Sequence, residues 1–237
     1  MTESRAQSPP GLPPQIWEQD FEAVLPRHRH DLSRDQVRAA QLARVRVATV
    51  EVVAERGYAG ASVRQISSRA GISTKTFYEL HPDKEAAFLA TYVAVDIVVE
   101  RMRVAAGAAQ TAAEVVHAGL TAYLGTLAAQ PAFTQSLVIE AVASTDRIRA
   151  RRSQGLADFA ATMVDNLRRV RGPAGPDPAP NPTERALIIG ALGGVNELVV
   201  QHLGSAPAST LLDVTPFAQD LLERVVLTAE ERHSTSG

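Results

Sequence analysis

The sequence predicts an all-α fold, and three observations carry that reading. No run of strand length alternates apolar and polar residues with a period of two. From Val37 onward, apolar residues recur at helical spacing instead. The helical stretches are separated by Ser, Thr or Asp before them and Gly or Pro after them, the residues that start and stop helices. The 237 residues are 45% hydrophobic and 21% charged, enough for a buried core and contrary to wholesale disorder. There is no internal repeat and no heptad array.

The elements follow in order. Residues 1–33 contain Pro9, Pro10, Pro13, Pro14 and Pro26 and read as a flexible arm with at most a helical turn near Ile16–Val24. Ser33, with Gln36 three residues on, is a capping box for a helix in which Val37, Leu42, Val45, Val50 and Val53 recur up to Arg56, and Gly57 stops it. Ser62 and Gln65 repeat the capping pattern for a short helix to Ala70, which Gly71 breaks. A second short helix runs from Ser73 or Thr74 to about Leu80, before Pro82. Asp83 and Glu85 open the next, where the helix dipole favours acids. Further helices are predicted over 83–106, 111–129, 131–143, 145–171, 183–203 and 214–232, with a Pro/Gly-rich loop at 172–182.

Composition excludes several classes of chemistry. With no cysteine there is no disulfide framework, no thiolate metal site and no cysteine nucleophile, which fits a cytoplasmic protein. Residues 1–14 are polar and proline-rich, unlike a signal peptide. The apolar stretch Ala186–Val195 is too short to span a bilayer, so no membrane partner is expected. No Gly-x-Ser-x-Gly elbow, His-Glu-x-x-His pair or phosphate-binding loop is present, so neither an enzyme nor a cofactor site is expected. Charge is uneven. Residues 27–78 hold ten basic and four acidic side chains, net +6, and the remainder carries -8. Such a segment fits a polyanionic partner or a solvated helix face, and charge alone does not separate the two.

The two short helices sharpen that choice. A helix, a tight turn at Gly71–Ser73 and a second helix make a helix-turn-helix pattern. Ile66, Ala70, Ile72 and Phe77 supply a small apolar core, and Gly71 supplies the positive φ such a turn commonly needs. Ser73, Thr74, Lys75 and Thr76 stand at the start of the second helix, where a recognition helix meets base edges and phosphates. A helical corner without ligand has the same outline.

The stretch from Arg44 to Tyr92 resembles the DNA-binding domain of the TetR family of bacterial transcriptional regulators. The resemblance rests on Ile66-x-x-x-Ala70-Gly71-Ile72-Ser73-x-x-Thr76-Phe77-Tyr78 followed by Lys84-Glu85, and covers about a fifth of the chain. Residues 25–37 resemble an extension found in some actinobacterial members. Two positions depart from the family pattern: Ser67 where alanine is common, and His81 where phenylalanine is usual.

The resemblance implies an organisation and a set of roles. Residues 1–33 form a basic arm, 34–82 a helix-turn-helix DNA-binding domain and 83–237 a helical effector-binding and dimerisation domain. Thr74 and Lys75 would reach base edges or phosphates beside Ser73 and Thr76; Tyr78, Lys84 and Ser62 would contact phosphate, and Arg64 either. Helix N-termini suit phosphate on general grounds. Arg27 and Arg29 of the arm would lie in the minor groove, or else add only non-specific affinity. His28 and His30 form a lone pair without a ligand cluster, so no metal is expected.

The expected function is that of a repressor that binds a palindromic double-stranded operator as a homodimer and is released by a small lipophilic effector. The resemblance places the dimer interface on the last two long helices, with Leu187, Gly190, Gly194, Val195, Leu221 and Val225; packing within one subunit is the other reading of the glycines. Candidate effector contacts are His117, Tyr123, Phe133, Glu140, Met163 and Asn196, with Glu197, each of which also reads as an ordinary core or inter-helix contact. Two other classes stay open: an all-helical enzyme or small-molecule binding protein, and an architectural DNA-binding protein without an effector.

Overall fold

The computed structural model describes residues 33–172, 182–228 and Glu231, whose regular elements are all helices, with no strand among them. Helix α1 (Arg34–Gly60) starts at the expected capping box: the Gln36 amide donates to Ser33 Oγ at 3.2 Å, and the Ser33 amide donates to Gln36 Oε1 at 2.8 Å. Its inward face is Val45, Ala48, Val52 and Val53. At Gly57 the backbone turns to φ 71°, ψ 160° before one further turn to Gly60. That region is open essentially to glycine alone.

Helix α2 (Val63–Ala70) carries the second capping box, Ser62 with Gln65, and ends at Gly71 in the left-handed conformation, φ 65°. Helix α3 (Thr74–Leu80) is capped by Ser73, whose Oγ accepts from the Thr76 amide at 3.0 Å. Ile66, Ala70 and Phe77 are buried between these helices and α1, with Ile72 partly so, as the spacing predicts. Helix α4 (Lys84–Leu89) starts at Asp83, which accepts from the Ala86 amide at 2.7 Å. It passes through a 3-10 turn, Ala90–Tyr92, into α5 (Val93–Gly107), so the expected single helix is tightened at its middle.

Helix α6 (Ala112–Ala129) is capped reciprocally by Thr111 and Glu114. The next stretch was expected as one helix and instead changes pitch twice. Helix α7 (Pro131–Phe133) leads into a π-helical stretch, Thr134–Ile139, and then a 3-10 turn, Glu140–Ala143. Tertiary anchors hold this segment: Ser136 Oγ donates to the Val50 carbonyl at 2.6 Å, and Thr134 Oγ1 to the Leu127 carbonyl at 2.8 Å. Helices α8 (Asp146–Arg171), α9 (Pro182–Leu203) and α10 (Thr215–Val226) complete the body. A 3-10 segment, Ala208–Val214, lies between the last two and was not foreseen. Helix α10 stops at Val226, short of the expected 232, because Leu227 is extended and buried.

One continuous core runs through the molecule, from Ile66 and Phe77 through Phe88 and Tyr92 to Leu120, Leu167 and Leu222. Helix α1 packs against α2, α4 and the Pro131–Ala143 segment, and so faces both ends of that core. Within α9, residues 183–203 are long and apolar enough to cross a membrane by length and composition, but Ile188, Leu192, Val195 and Val199 pack into this core.

Gly57 should be the least replaceable glycine of the fold. A Cβ there would stand 3.1 Å from Glu140 Oε2 on a backbone that side chains rarely adopt. Gly57→Ala is expected to destabilise by about 1–3 kcal/mol. Gly125→Ala, in mid-helix with open space around its Cβ, should be neutral or stabilising by up to about 1 kcal/mol. Thermal and urea unfolding of the two variants check the contrast.

Candidate nucleic-acid interface and effector cavity

Helix α3 is anchored on one side and bare on the other. Phe77 is fully buried, whereas Ser73, Thr74, Lys75, Tyr78 and Glu79 are exposed. Tyr78 is 58% exposed, and its ring meets Phe77 edge-on at 5.7 Å. Thr76 is half-buried, with its hydroxyl 2.9 Å from that of Ser73. Across the turn, Ser62, Arg64 and Ser68 on α2 are also exposed, and line a polar surface groove with Arg56 and Arg69. The exposed groups of this helix-turn-helix face are hydroxyls, a phenol and cations, suited to phosphate and base edges.

Two cations brace this face. Arg69 bridges Glu51 and Glu55 of α1 at 3.0 and 2.8 Å, tying α2 down across the surface. Lys84 is half-buried: its Nζ donates to the carbonyls of Tyr58 and Ala61 at 2.7 and 2.9 Å and lies 4.3 Å from the centre of the Tyr58 ring. Burial lowers its pKa. Lys84 thus closes the end of α1 with two of its three donors. Arg27, Arg29, His28 and His30 lie outside the described residues.

A second site lies in the body. An apolar cavity with about 610 Å³ of atom-free space, part of it open to solvent, is enclosed by α5, α6, α8, α9 and the Phe133–Val138 stretch. Tyr123, Phe133 and Asn196, named from the sequence, line it. Tyr123 donates to Asn196 Oδ1 at 2.5 Å, and burial raises its phenol pKa. The other four named residues lie outside the lining, Glu197 among them on the exposed side of α9. His117 is exposed and hydrogen-bonds Gln219 at 3.1 Å. Met163 is buried in the core away from the lining, and Glu140 accepts from the Tyr58 amide at 3.3 Å. Sequence reading missed Tyr92 and Arg152, which come from helices far apart in the chain and carry no local signal.

The residues named for a subunit interface divide between two environments. Leu187, 53% exposed, and Gly190 face outward on α9. Val195 is fully buried in the core of the subunit, and a Cβ on Gly194 would meet Leu221 Cδ2 at 2.8 Å, so Gly194 and Leu221 pack α9 on α10 within one subunit. Val225 is partly buried against the same core. Phe217, 67% exposed on α10, was not singled out, because one aromatic in an amphipathic pattern reads as core.

Comparison with known proteins places this geometry. Residues 46–91 match the family model described as bacterial regulatory proteins, tetR family. The helix-turn-helix segment thus matches the TetR family, over about a fifth of the chain. Solved structures share the fold of the whole body. The fatty acid degradation regulator FadR from Bacillus halodurans superposes with a TM-score of 0.62 at 19% identity, over 77% of this chain and 94% of that one. FadR from Bacillus subtilis, solved in complex with stearoyl-CoA, gives 0.61 at 20%, over 78% and 97%. A TetR transcriptional regulator from Rhodococcus sp. RHA1 gives 0.57 at 16%, over 80% and 97%. No curated protein matches the chain.

The two departures from the TetR pattern are both buried. Ser67 places its hydroxyl in the core without a hydrogen-bond partner among the described residues. His81, 7% exposed, packs its ring 5.9 Å from Phe77, so an imidazole fills the usual aromatic position, with Nε2 unpartnered. Burial, then Arg46 and Arg38, hold its pKa below the ordinary 6.5, against the opposing pull of Asp83. The unfolded chain therefore takes the proton first. Stability from this group is complete above about pH 6.5 and falls as the pH drops from there towards the lowered folded value. His81→Phe should flatten that loss: between about pH 7.5 and about pH 5.5 the unfolding temperature of the variant should fall less than that of the parent. Equal falls would show that His81 does not titrate with folding.

Proposed function

We propose that this chain is a ligand-responsive transcriptional repressor, not an enzyme, that binds a palindromic operator as a homodimer in the cytoplasm. The observation that carries the reading is the face of α3. Its apolar side is locked by Phe77 while Ser73, Thr74, Lys75 and Tyr78 stand free at the surface. A helix so presented fits the major groove, its N-terminal side chains meeting base edges. Thr74 and Lys75 read bases or phosphates; Ser62, Arg64 and Tyr78 grip the backbone and fix the register. Thr76 supports Ser73. Lys84 contributes first by holding the α1–α2 corner and offers its remaining donor to phosphate. Arg27 and Arg29 extend the contact along the minor groove.

On this reading residues 34–82 hold DNA and 83–237 carry the effector site and the subunit interface. One such module buries limited surface, which favours a two-fold pair with recognition helices about 34–36 Å apart. The outward side of α9 and α10, with Leu187, Gly190 and Phe217, is the apolar surface suited to that pairing. The apolar lining of the cavity supports a lipophilic effector, and the stearoyl-CoA complex of the Bacillus subtilis protein supports an acyl chain in a body of this shape. Binding there shifts the dimer towards a spacing that misfits the operator.

The test uses fluorescence anisotropy on a fragment that the protein retains from sheared genomic DNA. Lys75→Ala should weaken binding by about 5- to 100-fold, the range for losing one base or phosphate contact. Tyr78→Phe, which removes only an uncharged hydroxyl, should weaken it several-fold and leave its salt dependence unchanged. Unchanged affinity in both variants, with helicity intact, would remove α3 from the DNA contact.

A further inference from the structure

The apolar cavity has one charged residue in its lining, Arg152 of α8. Its neighbour Arg151 is already neutralised by an ion pair with Asp96 and lies over the Tyr92 ring at 5.2 Å. Arg152 is half-buried and, among the described residues, has no carboxylate or hydrogen-bond partner. A second unsatisfied donor lines the same space. Tyr92 is 2% exposed, and its buried hydroxyl has no partner among the described residues. Burial pushes its pKa up to about 12, against the pull of Arg152 and Arg151, so at neutral pH it is a neutral donor. Tyr92, Tyr123 and Arg152 line the same cavity, and the Arg152 charge lowers the pKa of both phenols against their burial.

The other polar groups of the lining, Tyr123 and Asn196, are bonded to each other, so a cation and a hydroxyl left unpaired at this apolar wall are costly to bury. An ionised carboxylate meets both needs: two oxygens for the guanidinium fork, with lone pairs left for the phenol. An alcohol of equal length brings no charge, and a thioester brings a single uncharged carbonyl. We infer that the cavity binds a lipophilic acid, its carboxylate held by Arg152 and Tyr92 and its apolar chain lying against Val98, Met102, Phe133 and Phe159. This deepens the effector reading above and rests on the cavity being the effector site.

Titration calorimetry of the full chain with dodecanoate, dodecanol and dodecanoyl-CoA, each below its micelle concentration, tests it. Dodecanoate should bind at least about tenfold tighter than dodecanol, the size expected for hydrogen bonds to a charged group. Arg152→Met should remove most of that difference while leaving dodecanol binding unchanged, and Arg152→Lys should restore part of it. Tyr92→Phe, which keeps the ring, should weaken dodecanoate several-fold. Dodecanol binding as tightly as dodecanoate, an Arg152→Met variant that holds dodecanoate as well as the parent does, or no binding of any of the three overturns the inference. Tighter binding of the thioester than of the free acid overturns it in favour of an acyl thioester. The operator assay is read separately. If dodecanoate binds in the expected pattern but leaves DNA affinity unchanged, the acid site stands and effector release fails; if DNA binding itself is lacking, the calorimetry still decides the acid site.

Discussion

The structure depends on the burial of one helix face. Val45, Ala48, Val52 and Val53 of α1 are buried, and the helix that carries them packs against both the helix-turn-helix and the body, joining the two parts of the core. The C-terminal end of α1 is clamped from both sides. Lys84 donates to the carbonyls of Tyr58 and Ala61, and Glu140 accepts from the Tyr58 amide. Gly57 makes the clamp possible, since its positive φ, which side chains rarely adopt, brings the chain close against the Glu140 carboxylate.

That clamp also links the two candidate sites. Phe133, Leu137 and Val138 line the cavity, while Ser136 and Glu140 of the same segment bond the backbone of α1 at Val50 and Tyr58. The segment is where the helix changes to π and then to 3-10 pitch. Such stretches recur at functional hinges because small changes of register there cost little. On the proposed reading, a chain entering the cavity presses on residues whose neighbours hold α1, and α1 carries the recognition helix. The coupling is then reciprocal: whatever factor the acid takes from operator affinity, the operator takes from the acid.

The DNA-binding part was legible in the sequence because its signals are local. Caps at Ser33, Ser62, Ser73 and Asp83, and the left-handed Gly71, act within a few residues of where they stand. The cavity was legible only in part. Helical periodicity says that Tyr123, Phe133 and Asn196 point inward, but it says the same of Met163, and only the packing of several helices decides which inward faces meet a void. Tyr92 and Arg152 are 60 residues apart and reach the same lining from the 3-10 turn before α5 and from α8. Pitch changes at 134–143 escape the sequence for a related reason: α, π and 3-10 turns share nearly the same apolar spacing over so short a run, and the contacts with α1 are long-range. At the outer helices, glycine told of close approach without saying to what, and at Gly194 the neighbour is Leu221 of the same chain.

The coupling can be observed directly through the distance between recognition helices. The chain has no cysteine, so Glu79→Cys on the exposed end of α3 gives a single spin label per protomer. Pulsed dipolar spectroscopy of the labelled protein on its selected DNA fragment should give one distance near the one-turn spacing of about 34–36 Å, offset by the label tethers. Adding dodecanoate should shift or broaden that distribution as DNA is released. A protein with no dipolar coupling, or a distribution that the bound acid leaves unmoved, would contradict a dimer whose DNA spacing is set from the cavity.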